Sequence, residues 1–282
     1  MNYKQIKNLP ELYIKEKIKE FLKEDIPSED ITSENIYNEN QIIQAQIETG
    51  QDLMFCGKQI VLNIFDTKCS IEKIIEDGTK LKKDEVVATI KGPAKEILKK
   101  ERVMLNLIQR LSAIATKTNK IASKAKKYNV KILDTRKTTP GLRLFEKYAV
   151  KVGGGWNHRM DLSSGILIKD NHIKAAGSIK EAIEKIRKKQ KTKIELEVDY
   201  FYQIEEGLNN GVEGFLLDNM EPKQIKKAVN LIKNKNKKIF IEASGGITEK
   251  TFQEFLKTGV DAISMGAITH SVSNIDIRLE FI

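Results

Sequence analysis

Cysteine is nearly missing from this chain: 282 residues hold two, Cys56 and Cys69, at no metal-binding or redox spacing. That excludes a disulfide framework built from several bridges and leaves reduced thiols in a cytoplasm as the expectation. Long apolar runs are lacking as well. No stretch approaches the roughly 20 apolar residues of a membrane span, so no membrane partner is expected. The opening MNYKQIKNLPELYIKEKIKEFLKEDIP has no apolar core of a secretory signal. Its Leu12, Ile14, Ile18, Phe21 and Leu22 fall near helical spacing instead. Zinc-finger spacing, an aromatic-and-basic ribonucleoprotein motif and a helix-turn-helix are also missing. Their absence counts against the nucleic-acid reading that a net charge of +10 invites. Much of that excess is Lys scattered over helices and loops, as in IRKKQKTK and IKNKNKK. Such a solvated basic surface also suits a small polyanionic substrate, whose local concentration it raises.

What remains is an ordinary globular composition, 40% hydrophobic and 31% charged. The length suits two domains, or one α/β barrel with an attachment. Two textures divide it. Up to about residue 92 the pattern is mixed: QIIQAQIE (41–48) puts Ile43, Ala45 and Ile47 on one strand face, GKQIVLNIF (57–65) reads as a helix, and 76–92 reads as a turn-rich strand pair. From Pro93 to about Tyr128 there is no internal Gly or Pro, and Ile97, Val103, Leu105, Ile108, Leu111 and Ile114 recur at helical intervals. Arg102, Asn106 and Gln109 share that helix's polar face, so Arg102 by itself reads as a surface residue.

After residue 129 short β-rich runs alternate with amphipathic helices: VKILDTR, GILIKDN, KIELEVD, GFLLDNM, KIFIEASGG and AISMGA. That alternation predicts a parallel sheet of βα units. The runs end on Arg136, Lys169, Glu197, Asp218, Ser244 and Gly266, and from Lys169 onward the intervals are 28, 21, 26 and 22 residues. In a barrel the strand C-termini converge on one rim, which carries the active site. One polar residue at a strand end means little, because turns come after strands; six in series point to a shared pocket. The Ser244-Gly245-Gly246 turn, with a helix expected from about Thr248, has the form of an anion site. SMGAITHS (264–271), with Gly266 and His270, repeats the device at the next strand. The three histidines, His158, His172 and His270, all lie in these loops. LDTRKTTPGLR (133–143) sets Arg136, Lys137 and Arg143 directly after an apolar run, where neither a solvated charge run nor a core strand accounts for them.

DTRKTTPGLR, EKYAV, GGG-NHR, ILIKDNHI, LLDN and ASGGI, in this order, resemble the quinolinate phosphoribosyltransferase family. The similarity extends to ERVMLNLIQRLSAIAT and EDIPSEDIT upstream and so covers nearly the whole chain. Trp156 departs from the pattern, standing where a smaller residue is expected. The resemblance implies an α/β fold in which an N-terminal α/β domain (1–111, with the tail 272–282 returning to it) accompanies an incomplete, seven-stranded α/β barrel (112–271). It implies joining of quinolinate to phosphoribosyl pyrophosphate with loss of carbon dioxide, giving nicotinate mononucleotide and pyrophosphate, with Mg²⁺. By motif-matched carry-over, Arg136, His158 and Arg159 grip quinolinate, and Arg102 of a second subunit closes the pocket. Lys137 and Lys169 serve the pyrophosphate end, and Glu197 and Asp218 hold ribose hydroxyls and Mg²⁺. Ser244, Gly245, Gly246, Gly266 and His270 bind the 5′-phosphate. The implied partners are these two substrates and a second copy of the chain in a homodimer or higher oligomer, in the cytoplasm. The alternatives are a related phosphoribosyltransferase acting on another ring acid, such as nicotinate, and a nucleic-acid-binding protein. The intact ILIKDNHI and the doubled basic grip favour quinolinate; convergence on a rim, without a basic stripe of stacking aromatics, disfavours nucleic acid.

Overall fold

The computed structural model describes residues 1, 3–39, 41–65 and 67–282. In chain order the elements begin α1 (Glu11–Asp25), α2 (Ile31–Ile36), β1 (Ile42–Thr49), β2 (Leu53–Met54), α3 (Lys58–Ile64), β3 (Ser70–Ile74), β4 (Lys80–Leu81), β5 (Val86–Pro93) and α4 (Ala94–Ala125). Next come β6 (Lys131–Leu133), α5 (Arg143–Val152), β7 (Ile166–Ile168), α6 (Asp170–Ala176), α7 (Ile179–Arg187), β8 (Ile194–Val198), α8 (Phe201–Asn209) and β9 (Gly214–Asp218). The last are α9 (Pro222–Lys235), β10 (Phe240–Ser244), α10 (Phe252–Phe255), β11 (Ala262–Ser264), α11 (Ala267–His270) and β12 (Ile277–Phe281). They group into two compact units, one of residues 6–119, 144–154 and 272–282, the other of residues 1–5, 120–143 and 155–271. None of the described helices is long and apolar enough to cross a membrane.

The first unit is built on an antiparallel sheet of order β12-β1-β5-β3. Alternation along β1 buries Ala45, Ile47 and Thr49 on one face, as the period-two pattern predicts. The terminal strand β12 runs along β1, with Thr49 opposite Ile277 and Ala45 opposite Phe281. Segment 76–92 does not fold back on itself: β4 pairs with β2, while β5 lies between β1 and β3. The expected strand pair is thus corrected to two strands that each find a partner elsewhere, because adjacency in sequence does not fix sheet order. α4 runs 32 residues without Gly or Pro and buries Ile97, Ile108, Leu111 and Ile114. Its Arg110 donates to the fully buried Glu146 of α5 at 2.8 Å.

The second unit is a parallel sheet of order β6-β11-β10-β9-β8-β7. Consecutive strands are neighbours and β6 lies beside β11, the cyclic order of an α/β barrel. The strands are short and rich in Ile and Leu, as suits strands covered on both faces. Beyond β6 a seventh strand is reduced to one residue: Trp156 bridges Leu133 in parallel, its N–H donating to the Ile132 carbonyl at 2.8 Å. The indole stays partly exposed, with Lys131 Nζ 4.3 Å from its ring. This outward placement accommodates a tryptophan in the glycine loop. The barrel is therefore open between Trp156 and β7, and Tyr3 and Gln5 occupy the opening. The Gln5 side-chain amide pairs with both the N–H and the carbonyl of Asn157, at 2.9 and 3.0 Å. On the other side Tyr3 packs so tightly on Gly165 that an added Cβ would come within 2.5 Å of its ring.

Candidate active site

Because all six strands run in parallel, their C-terminal ends form one edge. Asp218 and Ser244 close β9 and β10 and stand opposite each other in register. Glu197 is the penultimate residue of β8, Lys169 comes directly after β7, Gly266 two residues after β11 and Arg136 three after β6. Residues widely separated in sequence are thus brought to one rim. Lys169 Nζ contacts Glu197 Oε2 at 2.5 Å, and Asn219 donates to Asp218 Oδ2 at 2.7 Å. The Asp218 carboxyl is pushed above its ordinary range by burial and by the charges of Glu197 and Asp199, with Lys169 and Lys137 opposing. Such a crowd of carboxylates favours a bound cation. Asp199 escaped sequence reasoning because it falls just beyond the strand end rather than on it.

The LDTRKTTPGLR segment separates its cations by role. Arg143 turns back on its own loop, donating from Nε to Thr138 Oγ1 at 3.1 Å and reaching toward the Met160 carbonyl. Arg136 is not used in this way: its Nε is buried without a hydrogen-bond partner. Arg159 is 6% exposed and spends one N–H on the Gly165 carbonyl at 3.0 Å. Burial, and then the charge of Arg136, hold its guanidinium below the ordinary value. Among the described residues neither arginine has an ion pair. A buried guanidinium and a part-buried one with an unpartnered Nε, acting on each other as like charges, suit a compact dianion.

The adjoining His158 is turned into the barrel instead of toward the rim. Its backbone N–H donates to Asp134 Oδ1 at 2.9 Å, and its Nδ1 accepts the Arg159 N–H at 2.7 Å. Nε2 points to Glu195 Oε2 at 3.3 Å and Glu242 Oε2 at 3.7 Å. Tyr3 stacks on the ring, with centroids 4.4 Å apart, and donates its hydroxyl to Glu195 Oε2 at 2.5 Å. Glu195 and Glu242 are fully buried. Burial, and then the Glu195 charge, push the Glu242 carboxyl up to about 7 despite the opposing His158. Sequence reasoning missed Tyr3, Asp134, Glu195 and Glu242. The signal for the two glutamates was a carboxylate inside an apolar strand run, in IELEV and IFIEAS.

The Ser-Gly-Gly turn is present, but the helix expected at Thr248 starts only at Phe252 and is four residues long. Thr248 forms a turn with Thr251 instead, its N–H donating to Oγ1 at 3.0 Å. The turn's own backbone therefore has to supply the anion donors. Gly245 and Gly246 both have positive φ, 87° and 60°. A Cβ on Gly245 would strike Asn219, whereas one on Gly246 would meet nothing within 4 Å. Ser264 donates to Ser244 Oγ at 2.9 Å. Gly266 needs no unusual φ; what it permits is close approach, since a Cβ there would lie 3.0 Å from His270 and from the Lys137 stem. His172 faces back to its own chain, with Nδ1 accepting the Lys169 N–H at 3.0 Å. Arg102 lies in the other unit on the exposed face of α4, with Glu101 at 3.9 Å.

The chain as a whole is similar to proteins of one family. Residues 30–112 match the family described as quinolinate phosphoribosyl transferase, N-terminal domain, and residues 114–280 match its C-terminal domain. A Bacillus subtilis protein called probable nicotinate-nucleotide pyrophosphorylase [carboxylating] is 42% identical over 95% of this chain and 93% of its own. The solved nicotinate-nucleotide pyrophosphorylase from Francisella tularensis superposes with a TM-score of 0.93 at 35% identity, covering 100% of both chains. That from Ehrlichia chaffeensis gives 0.90 at 40% identity, over 95% of this chain and 98% of its own.

Proposed function

Because this chain belongs to the quinolinate phosphoribosyltransferase family, we propose that its rim binds quinolinate between Arg136 and Arg159 and the phosphoribosyl donor across Lys137, Lys169, Glu197, Asp218 and the Ser244–Gly246 turn. The enzyme transfers the phosphoribosyl group from phosphoribosyl pyrophosphate to quinolinate with decarboxylation, giving nicotinate mononucleotide, pyrophosphate and carbon dioxide, a step of de novo NAD biosynthesis. One observation carries the site assignment: a buried, unpartnered Nε on the part-buried Arg136, whose charge acts on the desolvated guanidinium of Arg159. Quinolinate's adjacent carboxylates supply the two missing charges, and planar forks match them with paired hydrogen bonds.

The ring nitrogen attacks the anomeric carbon as the bond to pyrophosphate breaks. Lys137 and Lys169 stabilise the charge on the leaving group, and the Glu197 and Asp218 carboxylates favour positive charge on the sugar. The carbon–carboxylate bond next to the new pyridinium then breaks. Its electron pair stays on the ring carbon, where the adjacent positive nitrogen stabilises it, until a proton replaces carbon dioxide. Positioning supplies much of the rate, since no covalent enzyme intermediate is needed. Glu197 and Asp218, the latter raised by burial and then by the Glu197 charge, fit Mg²⁺ as hard oxygen ligands. Bound there, the ion would neutralise charge on the pyrophosphate. Gly266 and His270, next to the Lys137 stem, complete the 5′-phosphate side. His158 contributes from below, because both ring nitrogens face groups inside the fold. Arg102 is assigned to the partner's quinolinate pocket in a homodimer, and the working compartment is the cytoplasm.

The test is carbon dioxide release from quinolinate and phosphoribosyl pyrophosphate, with nicotinate as the competing acceptor. Quinolinate is expected to be used and nicotinate to be turned over far more slowly, because a missing carboxylate leaves a buried cation unpaired. Equal turnover would overturn the carboxylate assignment.

A further inference from the structure

We propose that Tyr3 is a positioning residue for Arg159, and that Tyr3 and Gln5 together form a plug that tunes the enzyme's grip on the dicarboxylate substrate. The proposal rests on the reading that Arg159 binds quinolinate. The barrel is open between Trp156 and β7, and that gap is flanked by the 157–165 loop that carries His158 and Arg159. Two side chains fill it: Gln5 is paired with the Asn157 backbone, and Tyr3 packs against Gly165. The Arg159 guanidinium donates to the carbonyl of that same Gly165. Tyr3 therefore shapes one surface of the site that holds the Arg159 fork.

A second line of contacts reaches Arg159 through its backbone. The Tyr3 ring stacks on His158 and the Tyr3 hydroxyl is donated to Glu195 Oε2, so one side chain sets both the plane of the imidazole and its partner. The imidazole Nδ1 in turn accepts the Arg159 N–H at 2.7 Å. A backbone N–H can only donate, so Nδ1 is an acceptor and the ring proton sits on Nε2, facing Glu195 and Glu242. That tautomer argues against reading His158, Glu195 and Glu242 as a metal centre, although their ligand atoms lie within 4.8 Å of one another, because Nε2 has no free lone pair. The cluster is a buried mount, fixed by the Tyr3 hydroxyl on Glu195 and by the Arg159 N–H on His158. Burial and the Glu195 charge raise the Tyr3 hydroxyl far above its ordinary value, so it remains a donor throughout the working pH range. Rotamers locked by packing and outer hydrogen bonds are what hold a binding group within the fraction of an ångström that recognition needs.

Tyr3→Phe keeps the stacked ring and removes only the hydroxyl. In the full-length enzyme it should raise the KM for quinolinate roughly fivefold or more, while the KM for phosphoribosyl pyrophosphate stays within about twofold. In an Arg159→Ala background, Tyr3→Phe should add nothing, because its effect passes through a side chain already removed. Unchanged quinolinate KM, an equal rise in both KM values, or a full additional loss in the double variant would each overturn the proposal. Arg159→Ala with an unchanged quinolinate KM would instead bring down the underlying carboxylate reading, whatever Tyr3→Phe does. Should Tyr3→Phe fail to fold, Gln5→Ala, which loosens the other anchor and leaves the buried hydroxyl in place, is judged by the same criteria.

Discussion

Glu242 Oε2 lies 3.7 Å from His158 Nε2, and the carboxyl that carries it is fully buried. Its raised value, about 7 against 4.5, means that the folded chain holds a proton that the unfolded chain has released between those two pH values. Stability tied to Glu242 is therefore complete below about pH 4.5 and is lost as pH rises toward 7. Glu242→Gln, neutral at every pH, should melt a few degrees above wild type at pH 8, with the gap closing by about pH 5. Thermal melts across that range check this; a gap independent of pH would show that Glu242 is ionised in the folded protein throughout.

Arg159→Ala should lose quinolinate specificity far more than stability. Truncating one member of a desolvated charge pair costs roughly 2–5 kcal/mol, a loss of about 30-fold and upward in kcat/KM. Steady-state kinetics on a variant with native circular dichroism decide it, and near-normal kcat/KM would remove Arg159 from the quinolinate site.

The two glycines of the phosphate turn should separate. A Cβ on Gly245 collides with Asn219, so Gly245→Ala should chiefly lower thermal stability. Gly246→Ala projects a methyl into open space, at a strain of about 1–2 kcal/mol for the left-handed backbone. It should fold, raise the KM for phosphoribosyl pyrophosphate and spare that for quinolinate. Kinetics and melting of both variants compare the two, and equal effects on both substrates from Gly246→Ala would place the phosphate elsewhere.

Glu197→Gln takes a charge from the acidic cluster and a partner from Lys169, which contacts Glu197 at 2.5 Å. Half-maximal rate should then require several-fold more Mg²⁺, as expected for a hard-cation site that has lost an anionic ligand. A Mg²⁺ titration of the rate measures this, and an unshifted midpoint would exclude Glu197 from the metal site.

Arg102→Ala and Lys169→Ala should each be nearly inactive alone. After unfolding, mixing in equal amounts and refolding, random pairing makes half of the dimers mixed, each with one intact site if Arg102 serves the partner. Recovery should reach about a quarter of wild type. A mixture that stays inactive, with mixed dimers confirmed by mass, would return Arg102 to its own chain or to a purely surface role.

The sequence by itself determined the βα alternation, the long α4, the strand face of β1 and the rim positions, because these depend on periodicities of two and 3.6 residues and on the residue types at each strand's end. Arg136, Lys169, Glu197, Asp218 and Ser244 were legible for that reason: each stands at or near a strand end, and parallel strands bring such ends together. Tertiary structure alone decided the rest. Nothing local distinguishes Arg143, tied to Thr138, from Arg136, which is left unpartnered, or marks β4 and β5 as strands that pair elsewhere. The inward-facing Glu195 and Glu242 have no local mark of their partner, because only the course of the sheet sets them around His158. Tyr3 gave no signal at all, since its role depends on a gap in a barrel whose edges lie more than 150 residues along the chain. Contacts between residues that far apart are set by the path of the backbone, which no short window of sequence contains.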